Sequence, residues 1–388
     1  MDSWLLYILI VIAIGSGWWL GRRERAKSDK SVTPNYYKGL NHLLNEEPDR
    51  AVATFMNDLE VNPYTLETHL ALGGLLRRRG EIEKAVVVHE NILHRANLDK
   101  ETAEQVKLEL ARDYLLAGLL DRAEELSTRL SDPGSSVKND GLKITLEIYE
   151  REKEWAQAVE VAKLLANGDE TEKYEKAISH YYCEIAEELL ASSRNEEARV
   201  AVSQAIGHDA NNPRASLIHG RVDINEERFD DAIKVLERIS YQDPVYVTES
   251  LESLAFAYGG SDKSAKIFRD YLMACLDVTP SISIVLTIAA SIRDERGDEA
   301  VARFVADHLK KNPTIRGLTQ LIDLHIDNTH GVAKQNLSIL RSFTQALVAD
   351  KPAYRCNECG FEGKKMHWHC PSCKDWATIK PIFGLEGE

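Results

Sequence analysis

The feature that most constrains this chain is a pattern repeated at an interval of 34 residues. Gly39 recurs as Gly73 and Ala51 as Ala85, and in each copy the glycine precedes the alanine by twelve residues. Pro63 follows Ala51 by another twelve residues. One helical hairpin cannot bury its apolar face alone, whereas stacked hairpins share a continuous core. The interval therefore predicts an array of helical hairpins in which these small residues mark close helix crossings.

Alanines near the start of a helical segment continue the pattern at intervals of 33 to 40 residues. They are Ala123, Ala158, Ala198, Ala232, Ala265, Ala300 and Ala333. This period, with small residues in two helical segments and a proline near the end, resembles the tetratricopeptide repeat. The resemblance implies an all-α solenoid over residues 32–350, with about six clear units and degenerate helical hairpins after them. The insert from Asp132 to Ser136 is expected to be a mobile loop or a joint between two subarrays.

In tetratricopeptide proteins, the first helix of each unit lines a concave groove that contacts partners. Projecting that register onto this chain places the following residues on the inner surface: Tyr36, Leu40, Leu43, Leu70, Arg77, Leu108, Arg112, Leu115, Cys183, Glu187, Leu217, Arg221 and Ile224. The partner-binding candidates are Arg77, Arg112 and Arg221, because a guanidinium can form a bidentate ion pair with an acidic side chain or a carboxyl terminus. The alternative is that these arginines lie on a solvated face.

The array carries no recognisable catalytic motif. Its histidines lack the H-E-x-x-H spacing of zinc proteases, and the chain has no G-x-S-x-G nucleophile elbow. We therefore expect no catalytic residues and a non-enzymatic protein.

The stretch from Trp4 to Leu20 is the candidate membrane segment, because it holds seventeen residues without a charge. At ~1.5 Å rise per residue it is just long enough to cross a bilayer core. A cleaved signal peptide and a buried helix are the alternatives, but Asp2 does not suit a signal peptide and no A-x-A site follows. We expect an anchor over residues 1–21 and, on the cytoplasmic side, a basic juxtamembrane segment over 22–31. Gly17 and Gly21 form one G-x-x-x-G spacing, which permits a homodimer.

Two C-x-x-C pairs near the carboxyl terminus form the most specific motif of the chain. The pairs are Cys356 with Cys359 and Cys370 with Cys373, and ten residues separate them. Each pair makes a tight turn, and four thiolates complete a tetrahedron with no open position for water. The pattern predicts one structural metal ion, zinc, with iron as the alternative. A disulfide is disfavoured in a reducing compartment, and His367 or His369 could replace one cysteine ligand.

The charge of this segment contrasts with that of the whole chain. The chain has a formal net charge of −14, which argues against a nucleic-acid partner. Between Lys351 and Lys380, however, six Lys or Arg residues outnumber three Asp or Glu residues. We call this cysteine-containing segment the ribbon. We expect it to dock onto the acidic array or to contact an acidic partner. So small a ribbon has no core of its own, and metal loss should unfold it.

The order of these modules, together with the ending YRCNECGF…WHCPSCKDWATIKPI, is similar to the lipopolysaccharide assembly protein B family of Gram-negative bacteria. The two C-x-x-C turns within residues 351–388, here called knuckles, resemble those of rubredoxin, although the loop between them is far shorter. The family resemblance implies a single-pass protein of the bacterial inner membrane, with a periplasmic amino terminus and the bulk of the chain on the cytoplasmic side.

The same resemblance implies a regulatory adapter that promotes degradation of the UDP-3-O-acyl-N-acetylglucosamine deacetylase by the membrane-anchored AAA+ protease FtsH. It also implies contacts with a lipopolysaccharide-sensing protein and other inner-membrane proteins. One alternative is a membrane-tethered scaffold that assembles lipopolysaccharide synthesis and transport proteins without directing proteolysis. Another is a redox protein in which the four cysteines hold iron.

Overall fold

The computed structural model describes residues 13–18, 34–45, 47–57, 65–95, 98–167 and 170–388. These residues belong to two compact units, Met1–Lys153 and Glu154–Glu388, here called the amino-terminal and carboxyl-terminal units. Except for residues 13–18, the predicted anchor lies outside the described residues, as does the basic segment 22–31. Among the described helices, none combines the length and the apolar composition needed to cross a membrane.

The amino-terminal unit consists of antiparallel helices that pack in sequence order. They are α1 (Pro34–Leu44), α2 (Pro48–Asn57), α3 (Leu66–Arg78), α4 (Ile82–Arg95), α5 (Lys100–Leu116), α6 (Leu120–Leu130) and α7 (Lys138–Glu152). Asp99 caps α5, because its carboxylate accepts a hydrogen bond from the Thr102 amide at 3.2 Å. Phe55, Leu72, Leu76 and Ile92 are fully buried at the centre of the first two hairpins.

The carboxyl-terminal unit continues the helical pattern and ends in a small sheet. Its helices are α8 (Trp155–Leu165), α9 (Thr171–Ala191), α10 (Asn195–His208), α11 (Pro213–Asn225), α12 (Phe229–Glu237), α13 (Ile239–Gln242), α14 (Val247–Gly260), α15 (Ala265–Val278), α16 (Ile282–Lys311), α17 (Ile315–Asp327) and α18 (Val332–Val348). Helix α16 is broken at Gly297, whose φ of +77° is not helical.

The repeat glycines lie at close crossings, as their spacing predicts. A Cβ atom on Gly39 would lie 2.6 Å from the Phe55 ring, and one on Gly73 would overlap the His89 ring. The six repeat alanines from Ala51 to Ala232 are fully buried, whereas Ala265 and Ala333 are exposed. Full burial of the repeat alanine is therefore a feature of the earlier hairpins, which agrees with the weaker pattern in the last part of the array.

The insert from Asp132 to Ser136 does not separate the two units, since the division falls after Lys153. The Glu104 carboxylate accepts hydrogen bonds from the Ser136 amide at 2.8 Å and from the Ser135 hydroxyl at 3.1 Å. Lys100 donates to the Gly134 carbonyl at 3.0 Å. The prediction of a joint at this insert is wrong, because these contacts bind it to α5 within the amino-terminal unit.

The carboxyl-terminal sheet is antiparallel and has the strand order β2-β1-β3. Its strands are β1 (Tyr354–Cys356), β2 (Glu362–Gly363) and β3 (Ile379–Pro381). Cys356 pairs with Ile379 across β1 and β3, and both residues are buried. The sheet is too small to enclose an apolar core, and its buried centre consists of Cys356, Cys370 and Ile379. The ribbon therefore depends on contacts from outside the sheet.

Candidate metal centre

The four cysteines of the ribbon converge on one point. Their Sγ atoms all lie within 4.8 Å of one another. The distance from Cys356 Sγ to Cys373 Sγ is 3.7 Å, as is that from Cys359 Sγ to Cys370 Sγ. This is the donor set of a closed tetrathiolate site, which leaves no coordination position for a substrate. The residues therefore fit one structural metal ion.

The two knuckles have the same backbone geometry. The Gly360 amide donates to the Cys356 carbonyl at 3.0 Å, and the Lys374 amide donates to the Cys370 carbonyl at 3.0 Å. Gly360 has a φ of +75° and Lys374 a φ of +64°. A left-handed residue directly after each C-x-x-C turns the chain so that both sulfurs of the pair point inward. The local sequence thus builds the same half-site twice.

The ionisation of the thiols favours a cation at this site. Although burial raises the pKa of Cys356, hydrogen bonds from Thr378 and from nearby backbone amides lower it to about 6. Burial and the neighbouring sulfurs raise the pKa of Cys373 to about 12. Thiolates this close repel one another, so all four ionise together only around a positive charge.

Neither histidine of the ribbon belongs to this cluster, which among the described residues contains cysteines only. The His369 Nε2 atom lies 2.8 Å from the Lys374 carbonyl, and its ring stacks on Trp376 with the centroids 4.4 Å apart. The His367 ring contacts Phe361 edge to face. Both rings pack within the ribbon and are not positioned as ligands.

The ribbon docks onto the helices of its own unit, as the charge contrast predicts. The Tyr246 hydroxyl lies 3.0 Å from the Ala377 carbonyl oxygen and 2.9 Å from that of Ile379. Lys380 forms an ion pair with Asp243, and the Tyr354 hydroxyl donates to Glu249 at 2.9 Å. These contacts join β1, β3 and the residues just before β3 to the segment between α13 and α14 and to the first turn of α14.

A stack of aromatic rings fills the rest of this interface. Trp376 lies between His369 of the ribbon and His180 of α9, with its centroid 5.0 Å from that of His180 and the planes 12° apart. Trp155 and Tyr181 contact the edge of the same indole. Burial, followed by the nearby positive charge of Arg214, holds the pKa of His180 well below its ordinary value. The imidazole is therefore neutral in the stack.

Arg214 of α11 brings a buried charge to this interface. Its side chain is 3% exposed, and it forms ion pairs with Glu184 at 2.9 Å and Glu187 at 2.8 Å. Its guanidinium carbon lies 5.9 Å from the Trp368 ring centroid and 6.0 Å from that of Trp376. Both distances are within the range of cation–π attraction. Undocking the ribbon would expose this charge and both indoles together.

The last residues fasten the ribbon at a second point. The Glu388 carboxylate accepts hydrogen bonds from the Ser281 and Ser283 hydroxyls at 2.9 Å each and from the Ser283 amide at 3.1 Å. It also pairs with Arg316 of α17. Glu388 thus places a negative charge at the first turn of α16, where free amides and the helix dipole stabilise an anion.

The three predicted partner-binding arginines differ in their surroundings. Arg77 is 16% exposed and pairs with Glu109 at 2.5 Å and with Asp113 at 2.9 Å. Arg112 contacts the same Glu109 at 2.5 Å. Arg221, in the other unit, is 48% exposed and lies 3.9 Å from Glu187. The structure joins Arg77 and Arg112 through Glu109 and leaves Arg221 the most accessible of the three.

Several apolar residues of the projected groove are core residues instead. Leu108, Leu115 and Cys183 are at most 4% exposed and pack inside their units. The register is therefore wrong at these positions. The side chains of Tyr36, Leu40 and Leu43 lie outside the described part of the structure.

The residues that hold the ribbon in place are the ones that sequence reasoning missed. Trp155, His180, Arg214 and Tyr246 belong to no motif, and they lie far along the chain from the ribbon that they contact. One signal was present: Trp368 and Trp376 are large apolar residues in a ribbon with no core to bury them.

Two family models match parts of the chain, and solved helical-repeat structures are similar to it at low identity. A family described as "Rubredoxin metal binding domain" matches residues 354–381, and one described as "Tetratricopeptide repeat" matches residues 189–249. The C-terminal part of a tetratricopeptide protein from Cytophaga hutchinsonii is 11% identical, with 69% of this chain and 98% of that one covered and a TM-score of 0.37.

Two relatives cover almost the full length. The lipopolysaccharide assembly protein B of Escherichia coli strain K12 is 35% identical over 389 residues, with 99% of each chain covered. That of Haemophilus influenzae is 30% identical over 395 residues, with 98% of this chain and 99% of the relative covered. The chain thus belongs to the lipopolysaccharide assembly protein B family.

Proposed function

We propose that this protein is a non-enzymatic adapter of the bacterial inner membrane that regulates lipopolysaccharide synthesis. In this proposal it brings the lipid A pathway deacetylase, which acts on UDP-3-O-acyl-N-acetylglucosamine, to the membrane-anchored AAA+ protease FtsH. Membership of the family supports a role in lipopolysaccharide assembly, the process that the relatives' name states. Tetratricopeptide hairpins support the binding of protein partners, because stacked hairpins present extended surfaces.

The proposed work is divided among the modules. Residues 1–21 anchor the chain with the amino terminus in the periplasm, and the basic segment 22–31 holds the bulk of the protein on the cytoplasmic side. Tethering confines encounters to the membrane plane and raises the effective concentration of the protein near FtsH, as well as near a lipopolysaccharide-sensing protein and other inner-membrane proteins. Residues 32–350 hold the deacetylase, which is the client of the adapter. Residues 351–388 form the metal-binding ribbon.

The observation that carries the proposal is that the ribbon forms one wall of an open groove. Met366 and Trp368 of the ribbon line a cavity of about 200 Å³ together with Glu187 and Arg221. The last two residues also line an adjoining cavity of about 590 Å³, which extends to Phe256. A client segment seated beside Arg221 would contact array and ribbon at once, so the fold of the ribbon would govern client binding.

Zinc is the metal we propose for the four cysteines. A tetrathiolate cage suits an ion with no redox role and no need for a substrate position. The ribbon would then be a fixed structural element of the groove. Iron in the same cage is the alternative, and it would colour the purified protein, whereas zinc is colourless.

The test of the function is the cellular half-life of the deacetylase with this protein present and with it depleted. The adapter proposal predicts a longer half-life on depletion, and it predicts that the difference disappears when FtsH is inactive. An unchanged half-life, together with stable complexes of lipopolysaccharide synthesis and transport proteins, would instead establish the scaffold.

A further inference from the structure

Helix α18, the last helix of the array, exposes a largely apolar face. The exposed fractions are 71% for Val332, 52% for Ile339, 51% for Leu340, 62% for Phe343 and 60% for Leu347. At 3.6 residues per turn these five side chains fall within roughly 100° of arc, the width of a helix face that is normally covered.

The end of a helical array needs a polar outer face to stay soluble, because no further repeat covers it. Helix α18 packs on α17, with the Thr344 hydroxyl 2.9 Å from the Thr319 hydroxyl and Arg341 paired to Asp323 at 2.5 Å. These contacts use a different face from the apolar one. In the described part of the chain, the apolar face of α18 thus has the composition of a covered surface and remains open.

One polar residue, Asn336, lies within the arc of the apolar face and is exposed. Covering this face with lipid or with a purely apolar segment would leave the amide without a hydrogen-bonding partner, which is unfavourable. The occupant of the face must therefore bring a polar group to the same level of the helix. A second copy of α18 supplies one, because its own Asn336 can exchange hydrogen bonds with the first.

The spacing of the face residues is that of a two-stranded coiled coil. Val332, Asn336, Ile339, Phe343 and Ala346 follow one another at intervals of four, three, four and three residues. In heptad terms, Asn336 and Phe343 occupy a positions and the other three occupy d positions. A single asparagine at an a position favours parallel helices in register, since the two amides then meet each other instead of an apolar side chain.

The charges of α18 fit the same arrangement. Residues 332–348 contain no Asp or Glu, in a chain whose formal net charge is −14. Their two cations, Lys334 and Arg341, are seven residues apart and share the f position of the heptad. This position points away from the second helix. Two copies would repel each other over most of their surface, but not along this helix.

We propose that the apolar face of α18 is an interface with a second copy of this chain, in which the two helices pair parallel and in register around Asn336. The inference goes beyond the adapter function and does not rest on it. Pairing through the membrane anchor would be a separate contact, so the test must detect α18 itself.

Cysteine cross-linking of the full chain in detergent micelles tests the register. Val332 and Ala346 lie near opposite ends of α18, and in a parallel pair each faces its own counterpart. With a short bis-maleimide we expect a dimer from Val332→Cys alone and another from Ala346→Cys alone. In a mixture of the two chains, carrying different tags, we expect no mixed dimer, because the two sites would lie about 21 Å apart. The unsubstituted chain, treated in parallel, gives the background from the native cysteines.

A pair of charge substitutions tests the face. In the Val332→Cys chain, Phe343→Glu should lower the cross-linking yield at least fivefold, because it places two carboxylates opposite each other. The matched control Ser338→Glu adds the same charge on the polar side of α18 and should change the yield less than twofold. Both residues are exposed, so neither substitution should unfold the chain.

The role of Asn336 has its own test. Once Asn336→Leu is introduced into both tagged chains, nothing polar selects the parallel orientation. We then expect the mixed dimer of Val332→Cys with Ala346→Cys to appear, because antiparallel pairs bring these two sites together. If the mixed dimer stays absent, Asn336 does not set the orientation and that part of the proposal is wrong.

Four experimental results would overturn the proposed pairing of α18. Absence of the Val332→Cys dimer overturns the proposal, and so does a mixed dimer in the presence of Asn336, which would mean antiparallel helices. If the Val332→Cys thiol is protected from maleimide only when anionic phospholipid vesicles are added, the face is covered by lipid and the proposal is wrong. An equal loss of yield from Phe343→Glu and Ser338→Glu would also reject it.

Discussion

At the scale of single residues, the docking of the ribbon depends on side chains that satisfy its backbone. Strand β3 has an outer edge whose carbonyl groups need donors once they leave water. The Tyr246 hydroxyl, on a residue that is 1% exposed, shares its proton between the Ala377 and Ile379 carbonyls. An unpaired buried carbonyl costs about 1 to 3 kcal/mol.

We therefore predict that Tyr246→Phe loosens the ribbon without unfolding the array. The expected loss is about 1 to 3 kcal/mol, or roughly 5- to 150-fold faster hydrogen exchange at ribbon amides that exchange through undocking. Tyr241→Phe is the matched control, because Tyr241 is 91% exposed. Equal exchange rates in the two variants would show that the Tyr246 hydroxyl does not hold the ribbon.

The buried His180 predicts a pH dependence of stability. Burial lowers its pKa in the folded state, so the folded protein binds this proton less readily than the unfolded chain does. The contribution of neutral His180 to stability is complete above the pKa of histidine in the unfolded chain, which is about 6.5. It is lost as the pH falls below that pKa. Between pH 7.5 and 5.5 the native protein should lose more unfolding free energy than His180→Phe, by an amount on the order of 1 kcal/mol. Parallel urea curves at both pH values measure the difference, and equal losses in the two proteins would contradict the prediction.

At the scale of elements, the crossing of two helices in one repeat sets what each position tolerates. A Cβ atom on Gly220 of α11 would lie 2.5 Å from the Leu236 side chain of α12. A Cβ atom on Gly207 of α10 would meet nothing within 4 Å. Gly220 is buried in the interior of its helix, whereas Gly207 is exposed near the end of the neighbouring helix.

We predict opposite effects of the same substitution at these two glycines. Gly220→Ala should destabilise the carboxyl-terminal unit by about 1 to 3 kcal/mol, because the pair α11 and α12 must separate. Gly207→Ala should leave stability unchanged or raise it by up to about 1 kcal/mol, since alanine favours the helix. Thermal unfolding of both variants is the measurement. A neutral Gly220→Ala would mean that Leu236 moves aside freely.

The elements also show how far sequence reasoning reaches. The glycine and alanine spacing identified the crossings because a close approach requires a small residue at a fixed register. The cysteine spacing identified the metal site because a knuckle is a local structure. The surroundings of Arg77 could not be predicted in the same way, since its partners Glu109 and Asp113 lie one repeat further along. Contacts between repeats depend on the packing angle, which the spacing does not encode.

At the scale of the whole molecule, the array and the ribbon follow one another along the chain in an order that sequence composition reveals. Composition does not reveal where the ribbon docks, because the contacting residues are distant in the sequence. Tyr246 and Ala377, for example, are 131 residues apart. A net charge contrast predicts that two parts attract, but it does not select the surface. The docking surface is determined by the aromatic rings that pack around Trp376 and by the buried charge of Arg214. These side chains come together only in the folded array.

The proposed mechanism makes a prediction about metal and client together. Purified native protein should hold one zinc ion per chain, and the double variant Cys370→Ser/Cys373→Ser should lose it and unfold the ribbon. Deacetylase turnover in cells should then fall to the rate seen on depletion. Cys275→Ser, a buried change outside the metal cluster, should retain both zinc and turnover. Normal turnover in the double variant would remove the ribbon from the mechanism.

The aromatic stack gives the protein an optical property. The chain has six tryptophans, of which three lie within its first nineteen residues and the others are Trp155, Trp368 and Trp376. These last three contact one another or the same rings at the ribbon interface. In a chain whose early tryptophans are replaced by phenylalanine, all indole emission would come from that interface. Its wavelength would then follow ribbon docking without any added dye.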